Sequence, residues 1–202
     1  MIIEIRKAGF VNKGAELMLY AAVQKLRERY PEAKITMAPI YGRSDNTFEK
    51  MRKLDLYPKA WLWYKGINFG HFAKLIPKKI LNMYGMITDK EVDVVIDAAG
   101  FSYSDQWGVS SSQELSMSSK NWKKNGTKLI LLPQAFGPYK NPKIKKYVRI
   151  WAENADLIFP REKDSYRYLT EVVGKQDKIK LYPDFTNLIE GSLPDEIGRA
   201  HV

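Results

Sequence analysis

A chain of 202 residues, 45% hydrophobic and 28% charged, suits one large α/β domain or one and a half ordinary ones of the soluble globular class. Zero cysteines exclude a disulfide framework, a thiolate nucleophile and cysteine-based metal sites, and no apolar run approaches the roughly 20 residues that span a bilayer. A net charge of +10 favours anionic partners such as phosphorylated substrates, nucleic acid or an acidic membrane surface. No basic stripe interleaved with aromatics and no known module supports nucleic acid, so that partner is not expected. The first seven residues carry an acid and turn polar too soon for a signal peptide, and the chain reads as cytoplasmic.

Residues 2–7 alternate apolar and charged side chains as a strand does, then become Ala8-Gly9-Phe10-Val11-Asn12-Lys13-Gly14. A helix follows over 15–30, with Leu19, Ala22, Val23, Leu26 and Tyr30 at helical spacing and Pro31 as its stop. Strand, glycine loop and helix together aim backbone N–H groups and the positive end of a helix dipole at an anion. The loop matches neither a Walker loop nor G-x-G-x-x-G, and a tight turn without a ligand is the plain alternative. Residues 34–38 make a second strand closed by Pro39, 47–54 a short basic helix and 60–64 a short aromatic strand. Over 71–84, Phe72, Leu75, Ile76, Ile80, Leu81 and Tyr84 share one side, with Lys74, Lys78 and Lys79 among them. The expectation there is a helix packed on the sheet and kinked, or begun, at Pro77. A basic amphipathic stretch lying on an anionic membrane or lining an acceptor site is the alternative. His71 reads as a capping or surface residue.

Residues 91–97 form a buried strand ending in the loop 98–108, whose small residues, hydroxyls, Asp105 and aromatics suit a polyhydroxylated ligand. A helix over 113–124 and the turn Asn125-Gly126 return the chain to a strand at 128–132. Its apolar run Leu129-Ile130-Leu131-Leu132 suits a strand covered on both faces and leads into a Pro/Gly turn at 133–138. A helix at 142–155, a strand at 157–160, a helix at 164–173 and a strand at 179–182 complete the pattern. Such alternation predicts an α/β fold over 1–188, a Rossmann-like doubly wound parallel sheet that takes ligands at the carboxyl ends of its strands. Residues 189–195 are expected to begin an interdomain connection. The last seven, Glu196-Ile197-Gly198-Arg199-Ala200-His201-Val202, back-translate to the start of a common sequencing-library adapter. They are expected to be non-native, with the natural protein continuing past about Asp195 into a second half.

Loops in fixed order carry a resemblance: Gly9-x-x-Asn12-Lys13-Gly14-Ala15-Glu16, then Asp97-Ala98-Ala99-Gly100, then Leu132-Pro133-Gln134-x-x-Gly137-Pro138, then Arg161-Glu162-x-x-Ser165 with Pro183-Asp184-Phe185. Together they resemble the polysaccharide pyruvyl transferase family over about residues 1–190, the amino-terminal half of a member. Two departures stand out. The family often has Asn-x-Gly-Asp where this chain has Gly14-Ala15-Glu16, an acid one position later, and a glycine run where this chain has Ala98-Ala99-Gly100. The resemblance implies one half of a B-type glycosyltransferase-like two-domain architecture, with the site in the cleft between Rossmann-like halves. It implies transfer of the pyruvyl group of phosphoenolpyruvate onto a sugar hydroxyl or hydroxyl pair in cell-surface polysaccharide synthesis, giving a ketal and phosphate. Phosphoenolpyruvate is then the donor substrate, no cofactor is implied, and the acceptor is a saccharide that a lipid could carry, with peripheral contact at the inner membrane face as an option. The fragment alone is expected to be inactive. Rival readings are a nucleotide-sugar-dependent glycosyltransferase and a non-catalytic anion- or glycan-binding half-domain.

Such chemistry needs cations for phosphate and carboxylate, an acid for the enol methylene and a base for the hydroxyl. Arg161 and Ser165 match the family's Arg-x-x-x-Ser motif, and a guanidinium grips an oxyanion at two points as lysine cannot; a salt bridge to Asp164 or Glu162 is its alternative. Lys13 offers phosphate a point charge, with an ordinary exposed loop lysine as the alternative. Asn12 and Glu16 hold the first loop or contact sugar hydroxyls, although Glu16 could simply complement the helix dipole. Gly14 and Gly100 give room for backbone approach, while Gln134 and Gly137 shape the cleft floor. Asp97 and Asp105, sheet-end carboxylates, are the acid/base candidates, with turn capping the alternative for Asp97. Asp184 reads as a hinge or interdomain contact. No metal is expected, because no His/Asp/Glu set has ligand spacing.

Overall fold

The chain alternates β1 (Ile2–Arg6), α1 (Lys13–Arg29), β2 (Lys34–Met37), α2 (Thr47–Lys53) and β3 (Tyr57–Pro58), then a hairpin of β4 (Trp63–Tyr64) and β5 (Ile67–Asn68). It goes on through α3 (Lys78–Met83), β6 (Val94–Asp97), β7 (Phe101–Tyr103), α4 (Val109–Asn125), β8 (Lys128–Phe136), α5 (Pro142–Asn154), β9 (Leu157–Pro160) and α6 (Lys163–Val173). The computed structural model describes residues 1–189 except 11, 40–46, 62, 65, 66, 69, 71, 72 and 74, and the backbone alone at 63, 64, 67 and 68. His71 and the expected tail at 196–202 therefore lie outside the described residues.

The main sheet is parallel, with β3, β2, β1, β6 and β8 side by side and β9 on β8. In sequence rank this is the doubly wound order 3-2-1-4-5-6, whose direction of winding reverses between β1 and β6. Period-2 alternation divides β1 between two layers. Ile5 joins Leu19, Ala22 and Val23 of α1 and Ile35 and Met37 of β2 in one core. The other core sets Val95, Leu129, Leu131 and Ile158 against Leu115 and Trp122 of α4 and Ile144, Val148 and Trp151 of α5.

The charged positions of β1 are buried as well. Lys59 is fully buried, bonded to the Glu4 carboxylate and 2.7 Å from Asp89 Oδ1. The Trp122 ring lies under both Lys59 Nζ and the Arg6 guanidinium, at 5.6 and 5.1 Å. Burial pushes the Glu4 carboxyl up, although Lys59 and Arg6 oppose the shift. Buried charges survive only where they are paired, and α4 supplies Glu114 to Arg6, with Ser118 Oγ donating to Glu114 Oε1 at 3.1 Å.

Local differences from the sequence reading have physical causes. Among the described residues of the stretch expected as one helix over 71–84, the α-helix is Lys78–Met83, beginning directly after Pro77, and of the large apolar side chains at 75–84 only Leu81 is buried. β8 runs on to Phe136 instead of ending at Leu132. Pro133, which has no N–H to donate, sits where the β8–β9 register shifts between Leu131 and Gln134. The expected loop 98–108 contains β7, paired with Ala135 and Phe136. The expected strand at 179–182 is a single bridge, Ile179 to Ile158.

Candidate active site

At the switch point the last residues of β1 and β6, Arg6 and Asp97, are register partners. Arg6 Nε lies 2.9 Å from Asp97 Oδ2, a charge contact rather than a directed hydrogen bond, since the Nε–H finds no aligned acceptor. Its Nη2 donates to Glu114 of α4. Asp97 Oδ2 accepts from Tyr103 OH at 2.6 Å, and its Oδ1 accepts from Gln134 Nε2 and the Ala99 N–H, each at 3.3 Å. Burial by itself would lower Arg6, but Glu114, Tyr103 and Asp97 outweigh it and hold the guanidinium above its ordinary value. Burial would likewise raise Glu114, but Arg6 reverses the sign and keeps it below the usual carboxylate range. Burial, then Asp97, drives the Tyr103 hydroxyl well up. Asp97 has no exposed surface, so a carboxylate predicted for proton transfer is enclosed as the anchor of this network.

Lys7, one residue beyond Arg6, stands at φ +63°, a left-handed backbone that costs a branched or long side chain energy and clusters at functional sites. Its Nζ is 3.7 Å from Glu114 Oε2, and 30% of its side chain is exposed. Burial and then Arg6 lower its ammonium pKa, with Glu114 and Asp97 opposing. Lys7 is thus a partly exposed amine at the switch point whose proton is loosened. Sequence reasoning passed over it; the signal was a charged residue at the point where an apolar strand gives way to a glycine loop.

The first loop is well anchored. Asn12 caps α1, its Oδ1 accepting from the Ala15 N–H at 2.9 Å. Lys13 is almost wholly exposed and pairs with Glu16 at 3.0 Å, which raises the lysine and lowers the acid. A Cβ on Gly14 would meet only Asn12 Oδ1, at 3.4 Å. Gly100 has φ +66°, and a Cβ there would come 2.9 Å from Met18 Cε of α1, so this glycine lets the loop after β6 close on α1.

The other predicted residues gather at the ends of β8 and β9. Gln134 is fully buried; its side chain holds Asp97 and its carbonyl accepts the Arg161 N–H at 3.1 Å, which joins the two ends of the rim. Arg161 lies between Glu162 and Asp184, at 3.2 and 3.3 Å, with 35% of its side chain exposed; Asp164 pairs with Arg167 instead. Ser165 is buried and accepts from the Phe136 N–H at 2.7 Å, pinning α6 to β8. Gly137, at φ +73°, would drive a Cβ to 2.6 Å from Tyr168 Cβ. Asp105 accepts from the Lys140 N–H and, at 3.2 Å, from the Asn141 N–H, bracing the loop after β8.

Asn12, Gly100, Gly137 and Arg161 follow the carboxyl ends of the parallel strands β1, β6, β8 and β9, so they share one edge of the sheet. The model of the polysaccharide pyruvyl transferase family matches residues 12–200. The chain belongs to the polysaccharide pyruvyl transferase family. No curated protein matches it. The match to the pyruvyl transferases begins at Asn12, so the loops after β6, β8 and β9 fall inside it, while Arg6 and Lys7 stand just outside and are known from geometry alone.

Proposed function

We propose that this rim transfers the pyruvyl group of phosphoenolpyruvate to a saccharide hydroxyl pair. The observation that supports this most is that two partly exposed cations, Lys7 and Arg161, stand just past the carboxyl ends of β1 and β9, on the sheet edge that also carries the first turn of α1. Neighbouring strands lie about 4.8 Å apart, so β1 and β9, three strands apart in the order, stand about 14 Å apart. One lysine, one arginine and a small carboxylate-phosphate between them close such a gap.

In this reading Arg161 exchanges Asp184 for the donor carboxylate, which it grips at two points. The α1 amino-terminal N–H groups and Lys13 face the phosphate. Lys7, with its lowered pKa, gives its proton to the enol methylene. The donor's central carbon becomes electrophilic and one acceptor oxygen adds to it. A second acceptor oxygen then displaces phosphate to close the ketal, so one hydroxyl proton restores Lys7 and the other leaves on phosphate. Asp97 holds Arg6, and through it Glu114, in place; Asp105 keeps the loop after β8 in position. Both act as positioning residues.

The test supplies phosphoenolpyruvate and a panel of saccharides, with a sugar nucleotide in a parallel reaction. Acceptor-dependent release of inorganic phosphate is expected. Release of nucleoside diphosphate from the sugar nucleotide, with none of phosphate, refutes the proposal. The 202 residues alone are expected to bind the donor, and turnover to require the second Rossmann-like half.

A further inference from the structure

Pyruvyl transfer makes no use of residues 75–84. Leu75, Ile76, Ile80, Met83 and Tyr84 expose 73, 42, 46, 71 and 67% of their surface. Ile80 and Met83 lie on one face of α3, and Tyr84 is its C-cap. Lys78 and Lys79 are exposed beside them, and no acid occurs between Leu75 and Thr88. Single exposed hydrophobic residues are ordinary, but a run of this density is not. An apolar protein face would cover the hydrophobic side chains and strand the lysines. An anionic bilayer satisfies both groups, taking apolar side chains into the acyl boundary and meeting ammonium groups with phosphates.

We infer that residues 75–84 dock the protein on an anionic lipid bilayer, with Leu75, Ile80, Met83 and Tyr84 entering the interface and Lys78 and Lys79 on the headgroups. Tyr84, apolar in body and polar at its tip, suits that depth. No helix among the described residues is long and apolar enough to cross a membrane, so the contact lies on the surface. The segment leads to Ile87, which bridges Lys59 just beyond β3, and shares no residue with the rim. The inference stands or falls independently of pyruvyl transfer.

Sedimentation of the 202-residue chain with vesicles tests it. Binding to mixed phosphatidylglycerol and phosphatidylcholine is expected, weakening as salt rises, with little binding to phosphatidylcholine alone. Ile80→Asp with Met83→Asp should lower affinity by at least about tenfold. Lys78→Gln with Lys79→Gln should lower it by about 25-fold, near fivefold for each charge. The lysine pair leaves every apolar side chain in place, so it serves as the readout if the aspartate pair misfolds. Equal binding by all variants, or none by the wild type, overturns the inference. So does a wild-type dimer that the aspartate pair abolishes, which assigns the surface to a second copy of the chain.

Discussion

Replacing Arg6 with Met probes the network at the switch point. The side chain is nearly buried, 2.9 Å from Asp97 and bonded to Glu114. Its removal leaves two carboxylates in the interior without their shared cation. Breaking a buried pair from one side costs about 3–5 kcal/mol. Tyr103, Gln134 and the Ala99 N–H still donate to Asp97, and Lys7 remains 3.7 Å from Glu114, which favours the lower end, about 3 kcal/mol. With a urea slope of about 2 kcal/mol/M, the unfolding midpoint should fall by about 1.5 M. Adding Glu114→Gln removes one stranded charge and should restore about 1–2 kcal/mol, a clear departure from additivity. An Arg6→Met protein within about 1 kcal/mol of wild type, or strictly additive variants, refutes the network.

Further outcomes follow from the same geometry. Gly137→Ala meets both a left-handed backbone and Tyr168 and should lose about 2–4 kcal/mol. Gly126→Ala, at φ +80° in the left-handed α region with nothing within 4 Å, should lose only about 1–2 kcal/mol; thermal unfolding compares them. Asp105→Asn keeps one oxygen for the Asn141 N–H and should leave turnover in the proposed reaction within a few-fold of wild type, whereas an acid/base role would cost about 10²–10⁴. Glu114 is held below its ordinary 4.5, so its stabilising contribution is present above that value and lost as pH falls through the lower folded pKa. Glu114→Gln should flatten that part of the acid limb in denaturant melts taken across pH.

Much of the architecture was legible because the strands of a sheet covered on both faces read as short apolar runs with helices between. Val94–Asp97, the first five residues of Lys128–Phe136 and Leu157–Pro160 announce themselves that way, although the end of β8 lies four residues beyond its apolar run. β1 misled in a specific manner. Ile3, Glu4, Ile5 and Arg6 alternate like a strand with one wet face, but Glu4 and Arg6 are buried by partners 55 and 108 positions away, Lys59 and Glu114. No local pattern reports partners at such separations. The same holds for Asp97, visible as a strand-end carboxylate but not as the acceptor of Tyr103 and Gln134. Arg161 was legible in type and position, and Glu162 as its neighbour; Asp184 was expected at a hinge and proves to be the arginine's second partner. At 71–84 helical spacing overstated the helix, since Pro77 delays its start and most of the stripe finds no core to pack on.

Titration of phosphoenolpyruvate into the 202-residue chain, followed by calorimetry, tests the rim most directly when wild type is compared with Lys7→Gly. Glycine suits the backbone at φ +63°, which offsets the loss of the Glu114 contact at 3.7 Å, while removing the cation. The account predicts measurable binding by wild type and at least about tenfold weaker binding by Lys7→Gly, the scale of one charge-assisted contact. Equal affinities in two equally stable proteins would contradict it.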